Sequence, residues 1–390
     1  MLNCQKNKFS LSEEYTYLNC ATMSPNLKTV EIAGIEAVRM KSEPYNIKVN
    51  EFYQPVEQLK KSFARLINVA DFERVAIIPS VSYGMGNVVN NIKPGKKKTI
   101  IMVDEQFPSN YYVWEKLANK YDLKIKSISA SQSESRGADW NQKILEAIND
   151  DTVAVTLGHV HWADGTKFDL KAIRQKTQQH DALMIIDGTQ SVGAMSFDVQ
   201  ELQPDALIVG GYKWLLGSYG LGLAYYGPYF DGGEPIEENW INRYKSENFQ
   251  NLVNYQAKYK PKANRYCVGE NSNFILIPML NTAINQLLEW GTESIQEYCN
   301  SLITKPIQQF IDMGCQVEDA AYRGNHLFGV RLNNDFDMEQ LKAIIAKENI
   351  YVSFRGTAVR ISPHVYNEVK DFENLIACFE TARKKKVYYS

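Results

Sequence analysis

Seven short apolar runs, separated by longer amphipathic segments, constrain the fold of this chain more than any other feature. They lie at 75–80, 98–104, 123–129, 152–158, 182–187, 206–211 and 221–227. Runs that are apolar on both faces and alternate with helices indicate a mostly parallel sheet covered on both sides. We therefore predict an α/β fold with a mostly parallel seven-stranded sheet. Functional groups are expected outside the carboxyl ends of its strands.

The pattern changes after about residue 260. An apolar-striped helix is predicted over 274–291, where it ends at a glycine, and further helices and short strands follow. A chain of 390 residues exceeds the usual size of one domain. We predict a large domain over 15–255 and a smaller α+β domain formed by 1–14 and 256–390, on which the N-terminal arm packs.

Composition indicates which binding partners and which cellular compartment to expect. The formal net charge is −2, which favours neither nucleic acid nor a membrane surface as a partner. Six cysteines without a C-x-x-C pair indicate reduced thiols rather than a disulfide framework or a zinc site. With no secretory signal pattern and no run of about 18 apolar residues, we expect a cytoplasmic protein without a membrane span.

Polar and aromatic residues follow three of the predicted strands. Ser82 and Tyr83 come at a predicted helix N-terminus, which indicates either a phosphate site or an ordinary helix cap. Phe107 follows the second strand and precedes a proline, so its ring either anchors the core or stacks on a planar ligand. Trp162 follows the fourth strand beside two histidines. Packing or ligand contact is favoured there over a metal site, because only one carboxylate is near.

Charged residues end the next two strands. Asp187 closes an apolar run, where a carboxylate is costly unless it is paired, and either caps a helix or meets a ligand cation. Gln190 lies three residues further on. Lys213 follows the sixth strand between Tyr212 and Trp214. Such surroundings lower the pKa of a lysine and suit it to form a Schiff base with a carbonyl.

These groups together describe one ligand. It has a phosphate for the helix N-terminus, a planar ring for Phe107, a ring cation for Asp187 and an aldehyde for Lys213. Pyridoxal 5'-phosphate has all four, and a lysine Schiff base with an aspartate at the ring nitrogen is typical of proteins that bind it. We predict pyridoxal phosphate as the cofactor and no metal.

The sequence resembles the class V aminotransferase family of fold-type I pyridoxal-phosphate-dependent enzymes. Relatives in that family include cysteine desulfurases, kynureninases and isopenicillin N epimerase-like proteins. The resemblance runs through YLNCATMSP, PSVSYG, FPSN, HVHWADGTKFDL, IIDGTQSVG, GGYKWLLGSYG, GENSNF and VRISPHVYNE. Its most specific element is D-x-x-Q-S-x-G followed by a lysine 26 positions after the aspartate.

The resemblance implies a role for each residue that matches these motifs. Lys213 would be the Schiff-base lysine and proton shuttle, and Asp187 would keep the ring nitrogen protonated. Contacts to the cofactor ring or phosphate would come from Ser82, Tyr83, Phe107, Trp162, Gln190 and Tyr212. In a homodimer, Asn271 and Ser272 would approach the neighbouring subunit's phosphate. Arg360 would bind the substrate's α-carboxylate, and Arg355 would either read a distal acidic group or lie at the surface.

Departures from the desulfurase pattern guide the functional prediction. Tyr212 stands where desulfurases have a histidine, and Trp162 where they have an asparagine. Their nucleophilic cysteine precedes the carboxylate-binding arginine, but 349–362 contains no cysteine. We therefore predict an enzyme acting on a small amino acid, nominally an aminotransferase. A lyase or epimerase and a non-catalytic cofactor-binding relative are the alternatives. A dinucleotide-dependent oxidoreductase is disfavoured because G-x-G-x-x-G is never completed.

Overall fold

A seven-stranded sheet lies at the centre of the molecule, as the apolar runs predict. The structure is a computed structural model that describes residues 2–131, 133 and 135–383. In these residues the strands are β1 (Thr16–Tyr17), β2 (Val75–Ile78), β3 (Thr99–Val103), β4 (Lys124–Ile128), β5 (Thr152–Gly158), β6 (Leu183–Asp187), β7 (Ala206–Gly210), β8 (Gly222–Tyr226), β9 (Gln316–Val317), β10 (Phe328–Arg331), β11 (Ile350–Tyr351), β12 (Ser353–Arg355) and β13 (Ala358–Ile361).

The order of strands in the large sheet is β2-β8-β7-β6-β5-β3-β4. Strand β8 pairs antiparallel with both β2 and β7, and the remaining neighbours pair in parallel. Strands β2, β7 and β8 are buried throughout, whereas the edge strand β4 is mostly exposed. The prediction of a mostly parallel sheet is confirmed, and β6 and β7 end side by side near its middle.

Helices cover this sheet and build the rest of the chain. In the described residues they are α1 (Lys28–Ser42), α2 (Gln54–Leu66), α3 (Val81–Asn90), α4 (Tyr112–Tyr121), α5 (Arg136–Ala147), α6 (Leu170–Gln179), α7 (Val199–Leu202), α8 (Leu276–Trp290), α9 (Thr292–Asp312), α10 (Met338–Lys347) and α11 (Val369–Ala382). Helix α8 is the predicted apolar-striped helix and ends at Gly291, whose φ is +78°. Across the described ranges, no helix combines the length and apolar character needed to cross a membrane.

A second, four-stranded antiparallel sheet has the order β12-β13-β10-β9 and packs with helices from the C-terminal third. Within the predicted arm, the Gln5 amide donates to the Val365 carbonyl at 2.7 Å, and just beyond the arm β1 pairs with β11. The Ser362 amide also donates to the Leu18 carbonyl at 2.9 Å. The domain boundaries at 15–255 and at 1–14 with 256–390 remain a prediction.

Gly193 allows two loops at the strand ends to pass in contact. Its φ is +102°, and a Cβ atom there would collide with the carbonyl oxygen of Trp214. Steric hindrance therefore explains why a glycine ends the D-x-x-Q-S-x-G motif, since any side chain would push the loop after β7 away from the loop after β6.

Replacing Gly193 with alanine is expected to lower the free energy of unfolding by more than about 2 kcal/mol, because backbone strain and a backbone collision act together. Gly95→Ala is the matched control, since Gly95 also has a positive φ, +62°, but open space around its Cα. That control is expected to cost about 1 kcal/mol. Urea unfolding of both variants checks this, and equal losses would contradict the proposed collision.

Candidate active site

A cavity of about 190 Å³ lies at the carboxyl ends of β6 and β7. Larger surface cavities exist elsewhere, but this one contains both Lys213 and Asp187. The predicted site residues that line it are Ser82, Phe107, Trp162, Asp187, Gln190, Tyr212 and Lys213. The strand ends thus bring together residues that are up to 131 positions apart in the sequence.

Lys213 is buried between aromatic rings. Its Nζ lies 5.6 Å from the ring centre of Phe107 and 5.4 Å from that of Tyr212. Burial lowers the pKa of Lys213 to about 8, although the Asp187 carboxylate acts in the opposite direction. The guanidinium groups of Arg360 and Arg355 lower this pKa further. The amine therefore has a substantial neutral, nucleophilic fraction near neutral pH.

Hydrogen bonds hold the turn that carries Lys213. The Leu216 amide donates to the Lys213 carbonyl at 3.1 Å, and the buried Trp214 indole N–H donates to Gln190 Oε1 at 2.9 Å. Leu216 has a φ of +56°, a conformation that costs free energy for a residue with a side chain. The amine is thus presented from a turn anchored on the neighbouring strand end.

Asp187 ends β6 as a half-buried residue, and no described residue forms an ion pair with its carboxylate. Its Oδ1 accepts a hydrogen bond from the Thr189 amide at 3.0 Å. Burial raises the pKa of Asp187, while the bonds from Thr189 and the charge of Lys213 lower it. A ligand cation placed against this carboxylate would relieve the cost of its burial.

The N-terminus of α3 forms another wall of the cavity. Ser80 is the N-cap residue, whose hydroxyl accepts from the Tyr83 amide at 3.2 Å and lies 2.9 Å from the Ser82 hydroxyl. The first amides of a helix have no partner within the helix and attract anions. The Tyr83 hydroxyl instead donates to Glu237 Oε2 at 3.0 Å, and this side chain does not line the cavity.

Phe107 and Trp162 form an aromatic wall. Their rings meet edge to face with centres 5.4 Å apart. The Trp162 indole N–H donates to the Glu105 carbonyl at 2.6 Å, which fixes the orientation of this ring. The core-anchor alternative for Phe107 is less suited to this position, because the ring faces the cavity that contains Lys213.

Gln190 is buried and held within the protein. Its Nε2 donates to the Ala21 carbonyl at 3.1 Å, and its backbone carbonyl accepts from His326 Nε2 at 2.8 Å. Together with the bond from Trp214, these contacts give Gln190 a structural task that the sequence does not reveal. Its contact with the ring hydroxyl of a cofactor remains a prediction.

The two histidines near Trp162 take part in packing. His161 Nδ1 lies 3.0 Å from Asp164 Oδ1, and the His161 ring meets Trp140 edge to face. Arg136 and Arg331 bond to the same carboxylate, and with His161 they hold the pKa of Asp164 well below its usual value despite its burial. This arrangement supports the packing interpretation of the segment.

Arg360 is buried on β13 and is held by neutral oxygen atoms. Nη1 donates to the Trp162 carbonyl at 2.7 Å, and Nη2 donates to Thr22 Oγ1 at 2.6 Å and to Ser353 Oγ at 3.1 Å. Burial and the nearby charge of Arg355 lower the pKa of Arg360 to about 9. Within the described ranges it has no carboxylate partner, but its side chain is buried and does not line the cavity, so its contact with a substrate remains a prediction.

Asn271 and Ser272 lie outside the cavity. The Asn271 Nδ2 donates to Asn242 Oδ1 at 3.1 Å, and the Ser272 hydroxyl donates to the Phe52 carbonyl at 2.6 Å. The contact predicted for them is with the phosphate bound by a neighbouring subunit, and it remains a prediction.

Three hydroxyl residues that bond to the predicted site residues are not predicted from the sequence. Thr189 bonds to Asp187 and accepts from the Gly210 amide at 3.1 Å, which ties the ends of β6 and β7 together. Thr22 and Ser353 bond to Arg360. Thr189 and Thr22 lie within quoted motifs, which is the signal that points to them, whereas Ser353 is identified only by the β12–β13 register.

A buried lysine and a half-buried aspartate at the strand ends of an α/β sheet, beside a helix N-terminus, are typical of the class of pyridoxal-phosphate-dependent enzymes. A family model described as Aminotransferase class-V matches residues 41–375, and the chain belongs to this family.

A curated relative carries a related name, and solved structures share the fold. The uncharacterised aminotransferase YcbU of Bacillus subtilis is 27% identical, over 84% of this chain and 83% of that protein. The apo cysteine desulfurase of Thermococcus onnurineus NA1 has a TM-score of 0.78 at 18% identity, covering 98% of each chain. A lysine-to-alanine variant of C-DES, with glycine linked covalently to its pyridoxal phosphate cofactor, has a TM-score of 0.83 at 16% identity, covering 96% of this chain and 98% of that one.

The Lys213 amine is expected to titrate near pH 8 in the cofactor-free chain. Competitive acetylation with trace acetic anhydride, measured by mass spectrometry against pH, checks this. Exposed Lys171 is the internal reference, because its hydrogen bond to Glu201 raises its pKa. Asp187→Asn is expected to move the Lys213 midpoint to lower pH, since the carboxylate stabilises the ammonium. A Lys213 midpoint as high as that of Lys171 would contradict the lowered pKa.

Proposed function

We propose that this chain is a pyridoxal-phosphate-dependent aminotransferase that acts on a small amino acid. The observation that carries the proposal is the buried Lys213 amine, which shares one cavity with the unpaired carboxylate of Asp187. The surrounding residues fit the cofactor, because a half-buried carboxylate without an ion-pair partner, a helix N-terminus and a nucleophilic amine each match one of its groups.

Each of these residues would hold a different part of the cofactor. Lys213 would bind its aldehyde covalently, and Asp187 would keep the ring nitrogen protonated. Ser82 and the first amides of α3 would hold the phosphate, and the ring of Phe107 would stack on the cofactor ring. When bound, pyridoxal phosphate supplies an electron sink for negative charge at the substrate Cα.

The chain itself binds the substrate and moves its proton. Arg360 would bind the α-carboxylate through its guanidinium, which matches a carboxylate in shape and charge. Lys213 Nζ, whose pKa is lowered by burial to about 8, would take the proton from the Cα atom and return one during the reaction. The rings of Phe107 and Trp162 exclude water on one side. Transamination needs no nucleophile beyond Lys213, which favours it over reactions that require a second one.

The cysteines support this choice over persulfide chemistry. Within the described residues, no cysteine lines the cavity. Cys20 lies near enough to influence the pKa of Lys213. The Cys20 side chain is completely buried, however, and burial raises the pKa of its thiol to about 12. It therefore stays protonated, whereas a nucleophilic cysteine reacts as the thiolate. The free cysteines also support the reducing cytoplasm as the compartment that we propose.

Wild-type chain mixed with pyridoxal phosphate is expected to be yellow and to convert an amino acid and a keto-acid acceptor into the corresponding keto acid and new amino acid. Lys213→Ala should slow this by at least about 1000-fold and lose borohydride fixation of the cofactor. Lys167→Gln is the control, because Lys167 is a partly buried lysine of lowered pKa outside the cavity.

The products separate the alternatives in the same assay. Sulfide with pyruvate would indicate a lyase, racemised amino acid an epimerase, and persulfide a desulfurase, and each would contradict transamination. A yellow protein that is inactive toward every amino acid would indicate a non-catalytic relative. Cofactor fixed equally well in Lys213→Ala would contradict the cofactor site itself.

We further propose that the active form is a homodimer. Ile32, Ile35 and Val38 recur every three residues on α1 and are each more than half exposed. Soluble monomers seldom leave such apolar helix faces uncovered. Helix α1 also shares a surface cavity of about 390 Å³ with Ser272, one of the two residues assigned to the neighbouring subunit's phosphate. A second copy seated on α1 would therefore lie beside that loop.

Ile35→Asp is expected to weaken dimerisation by about 100-fold, because it would bury a charge in the subunit interface. Sedimentation velocity over a concentration series measures this. Ile311→Asp is the control, since Ile311 is a comparably exposed residue on α9. A monomeric wild type, or an Ile35→Asp variant as dimeric as the control, would contradict the assigned interface.

A further inference from the structure

The hairpin formed by β12 and β13 places two arginines on one face. Ser353 lies opposite Arg360, and Arg355 lies opposite Ala358. Because side chains alternate along a strand, Ser353 and Arg355 share a face, and residues paired across an antiparallel hairpin point to the same side. Arg355 and Arg360 are therefore diagonal neighbours on the face that Arg360 directs toward Trp162.

Arg355 is held in place without a neutralising partner. Its guanidinium lies 5.5 Å from the ring centre of Trp162, and its Nη1 donates to the Phe354 carbonyl at 2.8 Å. Its Nε is buried and has no hydrogen-bond partner, and the same is true of the Nε of Arg360. Among the residues that the structure describes, no carboxylate lies within ion-pair distance of Arg355.

The location of Arg355 connects it to the cavity. Trp162 lines the cavity, and its ring is fixed by the bond to the Glu105 carbonyl. A guanidinium above this ring lies beside the aromatic wall and next to the α-carboxylate position at Arg360. The charge of Arg355 also reaches Lys213 and Arg360, since it lowers the pKa of both. Arg355 does not itself line the cavity, but it is half-buried behind the Trp162 ring that does.

We propose that Arg355 binds a second anionic group of the substrate, so that the enzyme acts on amino acids whose side chain ends in a carboxylate. This proposal rests on the proposed function above, in which Arg360 binds the α-carboxylate. Two neighbouring guanidiniums with no internal counter-ion repel each other and are costly to desolvate. A substrate with one carboxylate would neutralise only one of them, whereas a dicarboxylic amino acid would neutralise both.

Calorimetric titration of the holoenzyme with carboxylates of matched chain length tests this. Succinate is compared with butyrate, and glutarate with pentanoate, so that each pair differs by one carboxylate. We expect the better dicarboxylate to bind at least about tenfold more tightly than its monocarboxylate partner. Arg355→Gln should remove this preference while changing monocarboxylate affinity less than about twofold. Arg355→Lys should retain part of it, because the charge remains.

Arg65→Gln is the control, because Arg65 is an exposed arginine on α2 and the substitution removes the same charge elsewhere. It is expected to leave the preference unchanged. Equal binding of dicarboxylates and monocarboxylates by the wild type would overturn the proposal, as would an Arg355→Gln variant that keeps the wild-type preference. A preference for an alkyl phosphate or sulfinate over the dicarboxylate would show that Arg355 binds another kind of anion. It would overturn the proposal that the substrate side chain ends in a carboxylate.

Failure of the proposed function gives a different result. It would appear as a chain that takes up no pyridoxal phosphate, which the absorbance spectrum reports before any titration begins. The same carboxylate pairs can be titrated into the cofactor-free chain, where Arg355 and Arg360 supply the same two charges. If the cofactor-free chain shows no preference for dicarboxylates, the result contradicts the role proposed for Arg355. If it keeps the preference, the result supports that role.

Discussion

The site depends on holding the Lys213 amine in a dry position at the end of β7. The shift of its pKa to about 8 corresponds to about 3 kcal/mol of disfavoured charge. The fold offsets this cost with stabilising contacts around the lysine. These are the packing of the apolar sheet, the hydrogen bond from the Trp214 indole to Gln190 and the close contact between Gly193 and the Trp214 carbonyl. Each of these features lies on a different loop, so the amine is positioned only when neighbouring strand ends meet.

The charges around that amine explain what the cavity accepts. Lys213, Arg355 and Arg360 are three cationic groups that influence one another, and Asp187 is the anion that opposes them at the cavity. A ligand that suits this arrangement brings anionic groups to the arginines and a cation to the aspartate. A protonated pyridine ring with a carboxylate substrate above it has this distribution, so electrostatics and shape favour the same occupant.

Sequence reasoning succeeds where a residue's position follows from strand order. Asp187 and Lys213 are predictable because apolar runs place both at carboxyl ends of neighbouring parallel strands. The contacts of Tyr83 with Glu237 and of Gln190 with Ala21 are not predictable, because each joins segments more than 150 residues apart and depends on packing rather than periodicity. The same holds for Arg355, because its direction depends on the β12–β13 register, which the four residues between Arg355 and Arg360 do not reveal.

In the function that we propose, the chemistry and the substrate selectivity come from different parts of the chain. The large sheet supplies the lysine, the aspartate and the helix N-terminus, which any reaction of this cofactor class requires. The β12–β13 hairpin of the smaller sheet supplies both arginines, and each of them contacts Trp162, which lines the cavity. Under that proposal, substitutions in the hairpin would alter which acid is bound, and loss of either arginine charge would also raise the pKa of Lys213. Substrate class therefore has to be inferred from the hairpin, whereas the strand ends indicate only the cofactor.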